Sequence, residues 1–168
     1  MENKMAEKMD YKEIYDSIKK QYKNTDGLEK MKNEIYQFIK INGQVSFIEL
    51  EENISGFKGN CLFSGTNKTI LWQGISALAL DSLKLLILED EIIAQKVSPL
   101  DYHIDGKILN YPIAKNASTN YQTIRWLPLV FNLPVKAKQV QKRMDESEIN
   151  IIGQNGGDGA HYKELAFI

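Results

Sequence analysis

The sequence predicts a mixed α+β fold, and three observations carry that expectation. Apolar residues recur at helical spacing in the N-terminal third. Short β-like runs bounded by turn residues occupy the middle. One strongly apolar helix, capped by Ser76, sits between two such β-rich regions. At 168 residues the chain fits one ordinary domain with tails and can bury a core without a disulfide or metal staple.

In order along the chain, residues 11–22 place Tyr11, Ile14, Tyr15, Ile18 and Tyr22 on one helical face, with Asp10 as N-cap, before Asn24-Thr25-Asp26-Gly27 breaks the pattern. A second amphipathic helix carries Leu28, Met31, Ile35, Phe38 and Ile39 and stops at Gly43. A short β-like run, 44–47, leads into a short acidic helix, 48–54, stopped by Ser55-Gly56. Residues 60–72 read as a hairpin around the turn-rich stretch 64–68. The helix from Ser76 to about Glu89 is apolar around most of its surface and belongs in the core. Residues 91–97 and 107–113 then read as two strands, with Asp105-Gly106 as the turn signal between them. Beyond Lys115 the periodicity is lost; 136–143 reads as a short helix, and the GQNGGDG run at 153–159 as a flexible tail.

Helix, short strand, helix, connection, longer helix and a two-stranded hairpin, taken in that order over 28–114, resemble the winged-helix superfamily. The resemblance lies in element order and involves no signature motif. It implies that the longer helix takes the recognition position and the hairpin forms the wing. The hairpin at 60–72 departs from the pattern, because it stands where a tight turn normally joins the second and third helices. The expected organisation is therefore an N-terminal helix and turn (1–27), a winged-helix-like domain with an inserted hairpin (28–114), an irregular basic, aromatic extension packed on it (115–150), and a tail (151–168).

Composition narrows the function classes. The apolar and charged fractions, 43% and 26%, are those of a globular chain, and the net charge of −1 excludes a protein that is basic all over. A single cysteine, Cys61, rules out an internal disulfide and fits a reducing compartment; with no signal-like or membrane-length apolar run, a cytoplasmic location is expected.

Catalytic and metal constellations are thin. His103 and His161 stand at no ligand spacing from Cys61. The cluster of His103 with Asp101 and Asp105 is explained by a solvated turn. Cys61 lies in the apolar run CLF, where a buried inert thiol is the usual outcome. The acidic stretch 49–52 reads as a solvated helix face, and the glycine-rich tail lacks the Gly-Lys-Ser/Thr ending of a phosphate loop. No enzyme activity, cofactor or metal is expected.

The charge distribution is more informative. Between 115 and 143 the charged residues are Lys115, Arg125, Lys136, Lys138, Lys142 and Arg143, with no acid, and Tyr121, Trp126 and Phe131 interleave with them. Cations that neutralise phosphates beside aromatics that stack on bases are the pattern of a nucleic-acid surface. The leading expectation is non-enzymatic nucleic-acid binding, most naturally to DNA, in a regulatory or mobile-element setting. Lys107, Lys115, Arg125, Lys136, Lys138, Lys142 and Arg143 would contact phosphates, and Tyr121 and Trp126 would stack. The bland reading stands beside it: Trp126, Leu127, Leu129 and Phe131 pack onto the domain and the lysines are solvated. The helix from Ser76 offers few groups to a base edge and ends on Glu89-Asp90-Glu91, which argues against major-groove reading. The alternative is a protein-interaction or assembly module, whose partner or homodimer would meet an exposed apolar surface on the helices at 11–22 or 75–88 or on the stretch 126–131.

Overall fold

The computed structural model describes residues 11–134. They form α1 (Tyr11–Gln21), α2 (Asp26–Asn42), β1 (Val45–Ser46), α3 (Phe47–Asn53), β2 (Lys58–Ser64), β3 (Thr69–Ile75), α4 (Ala77–Leu88), β4 (Ile93–Lys96), α5 (Pro99–Ile104), β5 (Arg125–Trp126) and β6 (Leu129–Asn132). The fold is mixed α+β. None of these helices is long and apolar enough to cross a membrane.

Local chemistry sets the boundaries. The Gly43 N–H bonds the Ile39 carbonyl at 2.8 Å from a backbone at φ +77°, a left-handed conformation that glycine adopts without strain. A capping box starts α3: Ser46 Oγ accepts from the Glu49 N–H, and the Glu49 carboxylate accepts from the Ser46 N–H at 2.7 Å. Ser76 caps α4 by accepting from the Ala79 N–H, and its hydroxyl also donates to the Gly56 carbonyl at 2.7 Å. Ser98 caps α5 with Pro99 in its first turn.

Two three-stranded sheets divide the strands. In the first the order is β1–β6–β4, antiparallel throughout, with Val45 opposite Phe131 and Ala94 opposite Phe131 on the other side. In the second the β2–β3 hairpin is extended by β5, which runs parallel to β3 with Thr69 opposite Arg125.

This topology corrects the expected strand at 107–113. That segment is irregular, and its one ladder contact is a bridge from Ile113 to Trp126. The strand that pairs with β4 is β6, drawn from the stretch expected to be an extension. Pro112 lacks the N–H that a central ladder needs. Leu129, Val130 and Phe131, by contrast, are all buried, as a strand flanked on both edges requires. The loop expected at 98–106 likewise contains the short helix α5.

The core is contiguous and aromatic at its centre. Phe47 stacks on Trp72 with centroids 5.3 Å apart and meets Phe131 edge-on at 5.0 Å; Trp126 meets Tyr102 edge-on at 5.2 Å. These rings come from α3, β3, β6, β5 and α5, so one cluster ties both sheets to two helices. Helix α4 is central, as its composition predicts: Ala79, Ser82, Leu83, Leu85, Leu86 and Ile87 are buried. Helix α1 lies against it through Ile18, which packs with Leu28 and Leu85.

The foot of the hairpin is tight. The β2–β3 register slips between Lys58 and Cys61, and a Cβ placed on Gly59 would lie 2.5 Å from the Ser76 Cα. Gly59→Ala is expected to destabilise the fold by about 1–3 kcal/mol, the usual range for overpacking against backbone. Equilibrium denaturant unfolding measures it, with a midpoint equal to wild type as the contrary result.

Candidate functional site

Of the residues singled out for nucleic-acid contact, Lys107, Lys115, Tyr121, Arg125 and Trp126 fall within the described part of the chain. Lys136, Lys138, Lys142 and Arg143 lie outside it.

Two of the five belong to the core. Trp126 is 1% exposed, enclosed by Tyr102 and Trp72, and its indole N–H finds no partner among the described residues. Tyr121 is also buried, and its hydroxyl organises a loop: it accepts from the Lys115 N–H at 2.8 Å and the Asn116 N–H at 3.1 Å, and donates to the Asn116 carbonyl. Burial pushes this hydroxyl up, but those hydrogen bonds, with Thr119 and the Arg125 guanidinium, outweigh burial and bring it below the ordinary tyrosine value. Neither ring is open to a base, which corrects the stacking role expected of them. An aromatic residue amid cations is as consistent with core as with a platform, and here packing wins.

Lys107 is also committed. Its ammonium bonds both Glu51 oxygens, at 3.0 and 3.1 Å, and lies 4.7 Å from the Trp72 ring centroid. The same carboxylate accepts from the Trp72 indole N–H at 2.7 Å. Glu51 was expected on a solvated face. It is buried because the β2–β3 hairpin delivers Trp72 to it. An open cleft beside this cluster is lined by Glu52, Lys58, Gly59, Gly74 and Asp105.

Lys115 and Arg125 remain at the surface of the 113–125 loop, Lys115 exposed and Arg125 partly so. Arg125 stacks over Tyr121 at 5.0 Å and donates to the Ile113 carbonyl at 3.2 Å. Two cations not anticipated from sequence join them. The Lys96 ammonium, at the end of β4, donates to the Lys115 carbonyl. Lys68, in the β2–β3 turn, donates to the Gln122 carbonyl at 2.9 Å, and its own carbonyl accepts from the Arg125 N–H at 2.9 Å. Nothing local in the sequence marks Lys68 or Lys96; strand pairing brings them to the loop. Asn67 adds a further tie, its amide donating to the Ala117 carbonyl at 2.8 Å. The segments 64–80, 92–100 and 106–134 contain no Asp or Glu. None of the four cations forms an ion pair among the described residues, whereas Lys19, Lys30, Lys32 and Lys107 do.

Helix α4 does not present a reading face. Helix α1 covers part of it: Tyr22 donates to Asp81 at 2.6 Å and Tyr15 to Glu89 at 3.2 Å. The Lys32 ammonium sits 2.7 Å from Glu89, so the acid at the C-terminal end of α4 is neutralised internally. Burial holds the Lys84 ammonium below the ordinary lysine value, with Asp81 pulling it partly back.

His103 lies on exposed α5, and Asp105 accepts from Ser46 Oγ at 3.0 Å. Cys61 is half-buried in β2 opposite Ile75. Among the described residues no three His, Cys, Asp or Glu side chains are grouped to hold a metal.

No protein-family model matches the chain, and no curated protein or solved structure matches it significantly.

The Glu51 cluster yields a direct test. Glu51→Ala leaves the buried Trp72 N–H without its acceptor and is expected to cost about 1–3 kcal/mol, whereas Glu51→Gln keeps an acceptor and should cost less. Denaturant unfolding of both variants decides it; equal losses would assign the effect to the carboxylate charge that holds Lys107 rather than to the indole hydrogen bond.

Proposed function

We propose that this chain is a non-enzymatic nucleic-acid-binding protein of winged-helix-like architecture. The single observation that carries the reading is the acid-free loop surface holding Lys115 and Arg125. Both cations are placed by the fold, and neither is used in an ion pair among the described residues. Such charges are what phosphate neutralisation requires.

The architectural part draws support from the first sheet. Helices α2, α3 and α4, with β1, β4 and β6, follow the winged-helix order of elements. The β2–β3 hairpin is then an insertion between α3 and α4, and the segment from α5 to β5 enlarges the wing. In this arrangement α4 holds the recognition position without offering side chains to a groove, so binding runs through the wing side. Fold alone assigns no function, and the proposal rests on the charges.

A second reading, a protein-interaction module, is favoured by one observation. The surfaces expected to serve it on α4 and at 126–131 are buried, but Leu100 and Ile104 stand one helical turn apart on α5 at 68% and 83% exposure.

Fluorescence-anisotropy titration of the full chain into labelled duplex and single-stranded DNA tests the proposal. Binding at low salt that weakens steeply at moderate salt is expected. No binding at low salt would overturn it. In that case light scattering of the wild type against Ile104→Asp examines self-association.

A further inference from the structure

We infer that the ligand's sugar-phosphate backbone is held, without reading of its bases, by one surface built from Lys68, Lys96, Lys115 and Arg125; this rests on the nucleic-acid reading above. Three separate segments supply these residues: the β2–β3 turn, the end of β4, and the loop that runs into the first residue of β5. Hydrogen bonds converge on that loop. The Lys96 ammonium and the Arg125 guanidinium bond the carbonyls of Lys115 and Ile113, two residues apart, and Lys68 bonds Gln122.

The loop is also internally fixed. The Asn116 side chain accepts from the Thr119 N–H at 2.8 Å and from its hydroxyl at 2.6 Å, and Tyr121 closes the other side. A surface ordered before its ligand arrives avoids part of the entropy that ordering it would cost. No acid lies in any contributing segment.

The mode of binding follows from what the face lacks. Base reading in a duplex needs an element in a groove, and α4 is partly covered by α1 and buries most of its apolar residues. Sequence-tolerant binding of single strands relies on exposed aromatic platforms, and Tyr121 and Trp126 are buried. What remains is neutralisation of phosphates, indifferent to sequence and with no preference for single strands over duplex.

The experiment uses the full chain and measures binding to AT-rich and GC-rich duplexes across a salt series. Lys68→Gln and Lys96→Gln retain side-chain donors for the Gln122 and Lys115 carbonyls while removing charge. Together they are expected to make the slope of log affinity against log salt shallower by about 2, one unit for each lost phosphate contact. Lys115→Gln, whose described contacts run through its backbone, is expected to remove about one unit more and carries the test alone if the double variant does not fold. The two duplexes are expected to bind equally. An unchanged slope in variants that fold, with wild-type binding intact, overturns this surface and leaves the nucleic-acid reading standing. A preference of about tenfold or more between duplexes, the size that one read base pair gives, overturns the backbone-only mode. Failure of the wild type to bind any DNA overturns both.

Discussion

Much of this molecule depends on the Trp72 indole. One face stacks on Phe47 at an interplanar angle of 2°, and the Lys107 ammonium lies 4.7 Å from the ring centroid. Its N–H donates to Glu51, which also holds Lys107. A carboxylate at 5% side-chain exposure would carry a heavy desolvation cost if left alone. Here an indole donor and an ammonium compensate it, with the ammonium still reaching water. The arrangement joins the β2–β3 hairpin, α3 and the segment after α5, three parts of the chain with no sequence proximity. Because β3 is anchored through Trp72, it can present its other end, at Thr69, to β5. The loop carrying Lys115 and Arg125 is positioned as a consequence.

Helix signals were the most legible part of the fold. The periodicity at 11–22 and 28–42, the Gly43 stop and the Ser76 cap all rest on contacts within a few residues, and each corresponds to an observed element. The hairpin was legible too, because Ser64–Lys68 is turn chemistry between apolar runs; Asn67 and Lys68 take positive φ there. The partner of β4 was not legible. Residues 107–113 and 129–132 are both apolar and both short, and only the completed sheet decides that Leu129–Asn132 runs between β1 and β4. Pro112 was the one local hint, and it weighed against the strand at 107–113.

The proposed binding surface shows the same division. Lys115 and Arg125 were visible because they lie together in an acid-free stretch. Lys68 and Lys96 were invisible, since their neighbours in space are 19 to 54 residues away along the chain. The interleaved aromatics pointed the wrong way for a physical reason. A Trp or Tyr beside cations has the same spacing whether it stacks on a base or packs inward, and burial of so large a ring is favourable wherever the core has room. Likewise Lys107 looked like its basic neighbours until the fold placed Glu51 under it.

A net charge of −1 is compatible with an anionic ligand only if the charges are sorted in space, and strand β4 shows how the sorting arises. The acidic run Glu89-Asp90-Glu91 precedes the strand, and Lys96 ends it. The four residues of β4, at roughly 3.3 Å each, carry the chain about 10 Å from Ile93 to Lys96, more than the screening length of roughly 8 Å at physiological salt. The acids at the α4 end therefore do little to cancel the field at the loop end, and Lys32 neutralises Glu89 besides. The strand thus sets Lys96 apart from the acids that precede it. On the proposed reading, a nearly neutral protein offers its sorted cations to an approaching polyanion.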